Sequence, residues 1–475
     1  MFKSINKNKV FWFSLITIKL ILFCLFGVQS MPDSSSYLEL SENIKNDFFS
    51  VFKFEDKTRM IGYPLIIYLT KILSTENWII LLGFFQISFS LFTLFFVNKT
   101  LKKLSISNIS AKLIILLFSF STINKLDLLL LTDSIYGNLM VLIFCNFFLI
   151  YQTNQKIKIT KYCFAISFLL IASFLIKDTT IIFLPFFGIF FIILIIKFIK
   201  KKISVYKCFL YLLLIFLPVF LISEIIKLSN YKKQGYKYIT VGGSTIYYYA
   251  TVKPYLDRNL KIFDSENDYD KTYKKYIKNL EFSGVYNMIN DLENQGYTKT
   301  EILEYSKDKY IRVILNPLNL LNIIQWNLKP TFIWGTFQPF LSISQLYSLK
   351  INDNSYWRTR LIIKKILTES LFDWNVILFS FCLLEIIFTT FLFLLFIKIS
   401  FVNLKIFYFR KVDIFSLNDN RIIIILSIIF YLLFCLLHLI VHMEPRYMVG
   451  VNFLFIFSII TNYDSLIKKF IQKFG

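Results

Sequence analysis

Long apolar runs separated by short polar stretches make up most of this chain of 475 residues. A helix needs about 20 apolar residues to cross a hydrocarbon core of roughly 30 Å. The pattern therefore predicts an all-α polytopic membrane protein with about ten transmembrane helices. They are expected over residues 10–29, 78–97, 111–124, 134–151, 162–177, 180–199, 206–226, 374–398, 421–441 and 448–463.

Two longer polar segments interrupt these runs. Residues 30–77 follow the first run, and residues 227–373 separate the last three runs from the others. The predicted organisation is an N-terminal transmembrane module (1–226), which contains the first loop, a large segment of mixed structure (227–373) and a C-terminal transmembrane module (374–475).

The basic residues in the short loops predict an orientation. Every second loop is rich in lysine or arginine, whereas the opposite loops carry Lys125, Lys177 and Arg446 almost singly. Cytoplasmic loops keep the excess of basic residues. We therefore expect both termini in the cytoplasm and both long segments on the outer face.

Local patterns within the long segments predict three further elements. DKTRMIGYPLIIYLTKIL suggests an amphipathic helix in the membrane interface, and KYIRVILNPLNLLNIIQW a helix that breaks at Asn316-Pro317. YITVGGSTIYYYATV predicts a hairpin that turns at Gly242-Gly243.

Composition agrees with a membrane protein. Hydrophobic residues make up 56% of the chain and aromatic residues 19%, above the range of ordinary soluble domains. A net charge of +23 would suggest a nucleic-acid partner only if the basic residues formed one patch, and here they lie between apolar runs. We expect no nucleic-acid partner.

The Lys, Asn, Ile and Phe excess is typical of an A+T-rich genome, and a bacterial plasma membrane is the expected location.

The cysteines and the N-terminus add two expectations. All six cysteines lie inside or at the edge of apolar runs without Cys-x-x-Cys spacing, so neither disulfides nor a cysteine metal site is expected. The basic start and Val28-Gln29-Ser30 after the first run would also fit a cleavable signal peptide. An uncleaved first helix is favoured, because the loop that follows needs a tether.

Asp33 is the first candidate for chemistry. Ser36-x-x-Glu39 has the spacing of a capping box, which predicts a helix that starts at Tyr37 and turns Tyr37, Leu40 and Ile44 toward the bilayer. Asp33 would then lie on the outer surface beside any lipid head group that enters. The alternative is that its charge only stabilises the helix N-terminus.

Other charged residues are predicted on the same outer face. Such residues at helix ends often serve only as interfacial anchors. Two carboxylates and three cations together would also suit displacement of a lipid phosphate, in which cations hold the leaving phosphate and a carboxylate deprotonates the attacking hydroxyl. The set comprises Asp33, Arg59, Asp133, Lys177 and Arg446, with Tyr447 beside the last.

Five ordered motifs resemble the GT-C membrane glycosyltransferases, specifically the glycosyltransferase family 39 group of protein mannosyltransferases and lipid A aminoarabinose transferases. The likeness covers roughly residues 1–200 and 420–463. Its motifs are PDSSSYLELSENI, RMIGYPLIIYL, TDSIY, IKDTTIIFLP and EPRYMVGV.

The resemblance implies inverting transfer of a sugar from a polyprenyl-phosphate donor on the outer face. It gives Asp33 the role of catalytic base or acceptor-positioning group and makes Asp133 the second acidic residue. Lys177 and Arg446 would contact the phosphate, with Arg59 as a third cation. The chain departs from the family where Ser34 follows Asp33 in place of a second acid and where Lys177 stands in place of Arg-Pro.

A metal is a weaker prediction. His438 and His442 are four residues apart with Glu444 nearby, a spacing that can hold zinc, but the zinc-peptidase pattern is absent. No metal ligand is assigned, and a divalent ion is left open as a cofactor.

The leading hypothesis is a glycosyltransferase that acts on a lipid-phosphate sugar and on a lipid-linked, glycan or protein acceptor. An O-antigen-type polymerase is the second hypothesis, and would depend on arginines of the large segment. A non-catalytic flippase is the third. It ranks last because charges inside the apolar runs, which mark transport paths, are few, and Lys19 and Glu385 stand nearly alone.

Overall fold

A computed structural model describes most of the chain. The described residues are 7–31, 33–46, 59–181, 184–185, 187–188, 204–235, 237–240, 268–277, 283–332, 337–350, 368, 374–409, 419–440 and 445–474. Within these ranges the protein is all-helical and contains no strand beyond an isolated bridge. The predicted hairpin at Gly242-Gly243 lies outside the described residues.

The helices are numbered in chain order. The first nine are α1 (Lys7–Phe26), α2 (Ser34–Asn46), α3 (Gly62–Leu73), α4 (Trp78–Lys103), α5 (Asn108–Ser119), α6 (Ile123–Leu126), α7 (Asp133–Gln152), α8 (Lys156–Ile176) and α9 (Val205–Gln234). The others are α10 (Asp268–Ile277), α11 (Ser283–Asn294), α12 (Lys299–Leu315), α13 (Pro317–Phe332), α14 (Pro339–Lys350), α15 (Trp374–Phe409), α16 (Asp419–Ile440), a 3-10 helix (Pro445–Met448), α17 (Val449–Asn462) and α18 (Asp464–Phe474).

Seven described helices are long and apolar enough to cross a membrane. The protein is therefore a multi-pass α-helical membrane protein. An eighth crossing is formed if α17 and α18, which meet at a 55° bend, count as one. The seven are Asn8–Phe26, Trp78–Lys103, Asp133–Gln152, Lys156–Ile176, Val205–Lys232, Val376–Asn403 and Asn420–Ile440.

The predicted crossing at 111–124 is not formed by one continuous helix. Its helix, α5, ends at Ser119 after 12 residues. At 1.5 Å per residue it is about 18 Å long, too short to cross the hydrocarbon core. The predicted crossing at 180–199 lies mostly outside the described residues.

The chain between α5 and α7 stays inside the protein. Residues 120–132 are almost all buried, and only the short α6 interrupts their irregular path. Irregular backbone at this depth needs internal hydrogen-bond partners. Gln29 supplies two of them, because its N–H donates to Leu128 O at 2.8 Å and its carbonyl accepts from Leu130 N at 2.9 Å.

A buried ion pair holds the same segment. Lys19 Nζ of α1 lies 2.7 Å from Asp127 Oδ2, and both side chains are 2% exposed. Ser134 Oγ donates to the other oxygen of Asp127 at 2.6 Å. Gln86 Nε2 of α4 donates to Asp127 O at 3.0 Å. These bonds attach the irregular segment to α1, α4 and the start of α7.

Helix α7 is the centre of the bundle, since every residue from Asp133 to Tyr151 is buried. It approaches α17 very closely at Gly137 and Gly450. A Cβ added to Gly450 would lie 2.6 Å from Met140 Cβ. This close packing brings the start of α7 beside the start of α17.

Polar contacts between helix ends show how the bundle alternates. Asn8 contacts Asn108, Ser107 contacts Asp464, and Gln152 contacts Asn420, so these ends lie together. The starts of α7 and α17 and the end of α1 lie at the opposite end of the bundle. These helix ends of the described residues therefore form two groups at opposite ends of the bundle.

Parts of the large segment dock on the bundle at that opposite end. The predicted break is confirmed, because α12 ends at Leu315 and α13 begins at Pro317. Tyr310 OH donates to Ile440 O at 2.7 Å. The carboxylate of Glu385, on α15, accepts the N–H groups of Phe340 and Leu341 at 2.7 and 2.9 Å and so caps the start of α14.

We expect Lys19→Met to destabilise the protein by about 3–5 kcal/mol, because breaking a buried ion pair leaves Asp127 charged and uncompensated. The midpoint of thermal unfolding of the purified protein in detergent measures this effect. The double variant Lys19→Met/Asp127→Leu removes both charges and should regain part of the loss. If the double variant is no more stable than Lys19→Met, the ion pair does not stabilise the buried segment.

Candidate functional site

Asp33 lies immediately before α2, which begins at Ser34 and not, as predicted, at Tyr37. The helix begins at Ser34 because the side chain of this residue makes two hydrogen bonds. Its Oγ accepts from Met31 N at 2.8 Å and donates to Leu130 O of the buried segment at 2.8 Å. The start of α2 is therefore attached to the residues that lead into α7.

The predicted orientation of α2 is also wrong for two of its three residues. Tyr37 and Ile44 are 4% and 1% exposed, and they pack inside the protein. Tyr37 meets the ring of Tyr63 edge-on, with ring centres 5.3 Å apart. Because α3 covers this face of α2, the face is not available to the bilayer.

Two arginines from distant parts of the chain bind Asp33. Arg59 Nη2 donates to Asp33 Oδ1 at 2.8 Å, and Arg446 Nη2 donates to Asp33 Oδ2 at 2.8 Å. Arg59 Nε also reaches Ser36 Oγ at 3.4 Å. Both carboxylate oxygens of Asp33 are thus engaged by guanidinium groups.

Asp133, in the first turn of α7, joins the same cluster. Lys177 Nζ donates to Asp133 Oδ1 at 2.7 Å, and Arg446 Nη1 lies 3.9 Å from Asp133 Oδ2. Arg446 therefore links the two carboxylates. The structure brings all five predicted charged residues together in the order Arg59, Asp33, Arg446, Asp133 and Lys177.

The two carboxylates differ in access. The side chain of Asp133 is 4% exposed, whereas that of Asp33 is 20% exposed. The three cations of the cluster, Arg59, Lys177 and Arg446, are 18–28% exposed. Asp33 and the cations can reach a ligand, while Asp133 is placed to hold Lys177 and Arg446.

Gly62 explains part of the RMIGYP motif. A Cβ at this position would lie 2.7 Å from Leu175 O, in the last turn of α8. Only glycine lets the start of α3 approach that backbone so closely. Arg59 precedes this contact and Lys177 follows it, so the contact places the two cations at the same end of the bundle.

Aromatic rings support two of the cations. The guanidinium of Arg59 lies 5.4 Å from the centre of the Tyr37 ring, and Lys177 Nζ lies 5.5 Å from the centre of the Tyr136 ring. Burial raises the pKa of the Tyr37 hydroxyl, with the charge of Arg59 acting in the opposite direction. Tyr37 is therefore a neutral support for Arg59.

The remaining candidates contribute less. Tyr447 lies in the 3-10 helix, and its side chain is outside those described, as are His442 and Glu444. His438 Nδ1 lies 3.0 Å from Phe434 O of its own helix. Among the described residues no group of three His, Cys, Asp or Glu side chains could hold a metal ion.

Two features were missed by reasoning from the sequence. The first is the pairing of Lys19 with Asp127; a lysine inside an apolar run signals that a buried carboxylate partner exists, but not which one. The second is Lys125, whose Nζ donates to Gln345 Oε1 of α14. It was recognised only as one of several outer-loop cations.

No protein-family model, curated protein or solved structure matches this chain. Its chemistry is therefore inferred from its own side chains. Two carboxylates and three cations at one end of the bundle carry a formal net charge of +1. Such a cluster can bind an anion through the cations and can accept a proton or a hydrogen bond at Asp33.

We expect Gly62→Ala to destabilise the protein by about 1–3 kcal/mol, because the added methyl group would overlap with the backbone of α8. The measurement is the thermal unfolding midpoint in detergent. Gly188→Ala is the matched control, because a Cβ there meets no atom of the described residues within 4 Å. Equal midpoints for the two variants would contradict the close packing of α3 on α8.

Proposed function

We propose that this protein is an inverting glycosyltransferase that moves a sugar from a polyprenyl-phosphate donor to a lipid, glycan or protein acceptor. The observation that carries the proposal is the cluster in which Arg446 joins Asp33 to Asp133. It combines an accessible carboxylate with several cations at a helix end, where a lipid head group would lie.

We further propose a GT-C-type fold in a bacterial plasma membrane, with the cluster on the outer face. The support is the distribution of basic residues, since cytoplasmic loops keep the excess. The helix ends opposite the cluster carry Lys99, Lys102, Lys103, Lys156, Lys158, Lys161, Lys207, Lys398 and Lys405. Both termini would then be cytoplasmic.

In the proposed reaction Asp33 takes the proton of an acceptor hydroxyl. The hydroxyl oxygen attacks the anomeric carbon of the sugar from the face opposite the phosphate, and a new C–O bond forms there. The bond between the anomeric carbon and the phosphate oxygen breaks, and its electron pair leaves with the lipid phosphate. Arg446 and Lys177, with Arg59, would stabilise the charge that develops on that oxygen.

The paired state of Asp33 suggests how binding and chemistry are coupled. A donor phosphate can replace the carboxylate as the partner of Arg446, because guanidinium groups bind phosphate in the same forked geometry. Asp33 would then keep Arg59 and gain freedom to accept a proton from the acceptor. Exchange of ion-pair partners would thus prepare the base when the donor is present.

Asp133 has a positioning role in this proposal. Its buried carboxylate holds Lys177 directly and lies near Arg446, so two cations face the donor without moving apart. This role differs from a proton transfer in which Asp133 itself takes part.

The alternative hypotheses gain no support from the described residues. A polymerase would depend on arginines of the large segment, of which Arg312 is 75% exposed and pairs with Asp308 on its own helix. Arg258, Arg358 and Arg360 lie outside the described residues. For a flippase, Lys19 and Glu385 lie inside described crossings and are both engaged structurally, Lys19 with Asp127 and Glu385 with the start of α14.

Asp33→Asn should lower the rate of sugar transfer about 100- to 10,000-fold, because an amide cannot act as a general base. The assay follows a labelled sugar from polyprenyl phosphate to acceptor in proteoliposomes that contain the purified protein. Glu42→Gln is the matched control, since Glu42 is a carboxylate of the same helix and pairs with Lys71 outside the cluster. Unchanged transfer by Asp33→Asn, at equal amounts of folded protein, would remove Asp33 from the mechanism.

Arg446→Lys should lower kcat/KM about 10- to 100-fold, because an ammonium keeps the charge but cannot make the forked contacts to the donor phosphate that a planar guanidinium can. Arg446→Gln should lower it further. The same transfer assay, with Arg312→Gln as the control, measures both. Full activity in Arg446→Gln would exclude this arginine from donor binding.

A further inference from the structure

Lys125 is a cation beside the proposed site that no carboxylate neutralises. It lies in α6, within the buried segment that leads to Asp133, and its Nζ donates to the amide oxygen of Gln345. Among the described residues no Asp or Glu oxygen lies within ion-pair distance of it. Arg59, Lys177 and Arg446, by contrast, each contact at least one carboxylate.

The surroundings of Lys125 disfavour its charge. Burial lowers the pKa of its ammonium group to about 8, and the positive charge of Arg446 acts in the same direction as a second cause. Two cations that repel each other in an environment shielded from water are stabilised when one anion contacts both of them. The protein itself supplies such an anion to Arg446, but none to Lys125 among the described side chains.

Unpaired polar atoms lie close to Lys125 in the sequence and on the helix that it contacts. Asn124 Nδ2 and Thr122 Oγ1 are buried, and neither has a hydrogen-bond partner among the described residues. Both side chains are at most 2% exposed. Helix α14, which packs on α6, carries Ser342 and Ser344 with buried hydroxyls in the same state. Buried polar groups without partners are uncommon unless a ligand or water satisfies them.

We propose that Lys125 and Asn124 bind a second negatively charged group of the lipid substrate, the second phosphate of a polyprenyl diphosphate. This inference rests on the proposed function, which gives Arg446 to the first phosphate. It specifies the donor class: the sugar is carried on a diphosphate, and the lipid diphosphate is the leaving group.

The balance of charge supports a diphosphate. The cluster of Arg59, Asp33, Arg446, Asp133 and Lys177 has a formal net charge of +1, which matches the single negative charge of a phosphodiester. Protonated Lys125 raises the total to +2. A diphosphate diester carries two negative charges and would match that total, whereas a monophosphate diester would leave one cation uncompensated.

A purely structural role makes a different prediction. If Lys125 only fastens α14 through Gln345, its replacement should weaken binding of every lipid phosphate equally, through loss of stability. If it binds the second phosphate, the loss should be confined to diphosphates. The ratio of the affinity for the diphosphate to the affinity for the monophosphate therefore distinguishes the two roles, because a general loss of stability does not change this ratio.

The experiment measures binding of two diesters, farnesyl methyl phosphate with one negative charge and farnesyl methyl diphosphate with two, to the full-length protein in nanodiscs, by titration calorimetry. We expect the wild-type protein to bind the diphosphate about tenfold more tightly, the usual effect of one charge-assisted hydrogen bond. Lys125→Gln and Lys125→Met should each remove this preference while the monophosphate affinity changes less than about twofold. Lys125→Arg should retain it. Lys350→Gln is the matched control, because Lys350 lies on α14 and donates to Leu25 O.

Equal affinities of the wild-type protein for the two lipids would overturn the inference without any variant being needed. A preference that persists in both Lys125→Gln and Lys125→Met would overturn it as well. The proposed function fails separately: it is contradicted if neither lipid binds or if Arg446→Gln leaves monophosphate binding unchanged. Monophosphate binding that depends on Arg446, without a diphosphate preference, would retain the proposed function and reject only the second phosphate.

Discussion

The site depends on the contact between Arg446 and Asp33, which joins residues 413 positions apart in the chain. A guanidinium group has several donors in one plane and can serve two carboxylates at once. Arg446 uses this property to approach Asp33 from one side and Asp133 from the other. The first loop, the start of the central helix α7 and the start of α17 are thereby held at one end of the bundle.

The interior of the bundle depends on the pairing of buried polar groups. Polar groups removed from water must be paired, and the cost of leaving them unpaired grows with depth in an apolar medium. Lys19 and Asp127 satisfy each other, while Gln29 and Gln86 supply hydrogen bonds to the irregular backbone between α5 and α7. This anchored segment ends at Asp133. A structural ion pair deep in the bundle and the proposed functional cluster at its end are therefore parts of one connected arrangement.

The cluster holds more positive than negative charge, and this excess is what makes it suited to an anionic substrate. A site whose charges cancelled would gain little from binding a phosphate, because existing ion pairs would be exchanged without a net gain. Here the proposed donor takes over contacts of Arg446, and Lys125 provides a further cation close by. The proposed glycosyltransferase activity and the proposed diphosphate preference both follow from this imbalance, but they depend on different residues.

The sequence by itself determined the helical membrane architecture, most of the crossings and the charged residues of the cluster. Apolar length and loop charge depend on composition over many residues, and the spacing of Asp33, Asp133, Lys177 and Arg446 at helix ends follows from the crossings. The sequence did not determine that α5 is too short to cross, that Tyr37 faces α3, or that Asp127 is the partner of Lys19. These features were decided by the tertiary structure, because a buried polar group takes its partner from any helix that packing brings near, and local sequence carries no record of that neighbour.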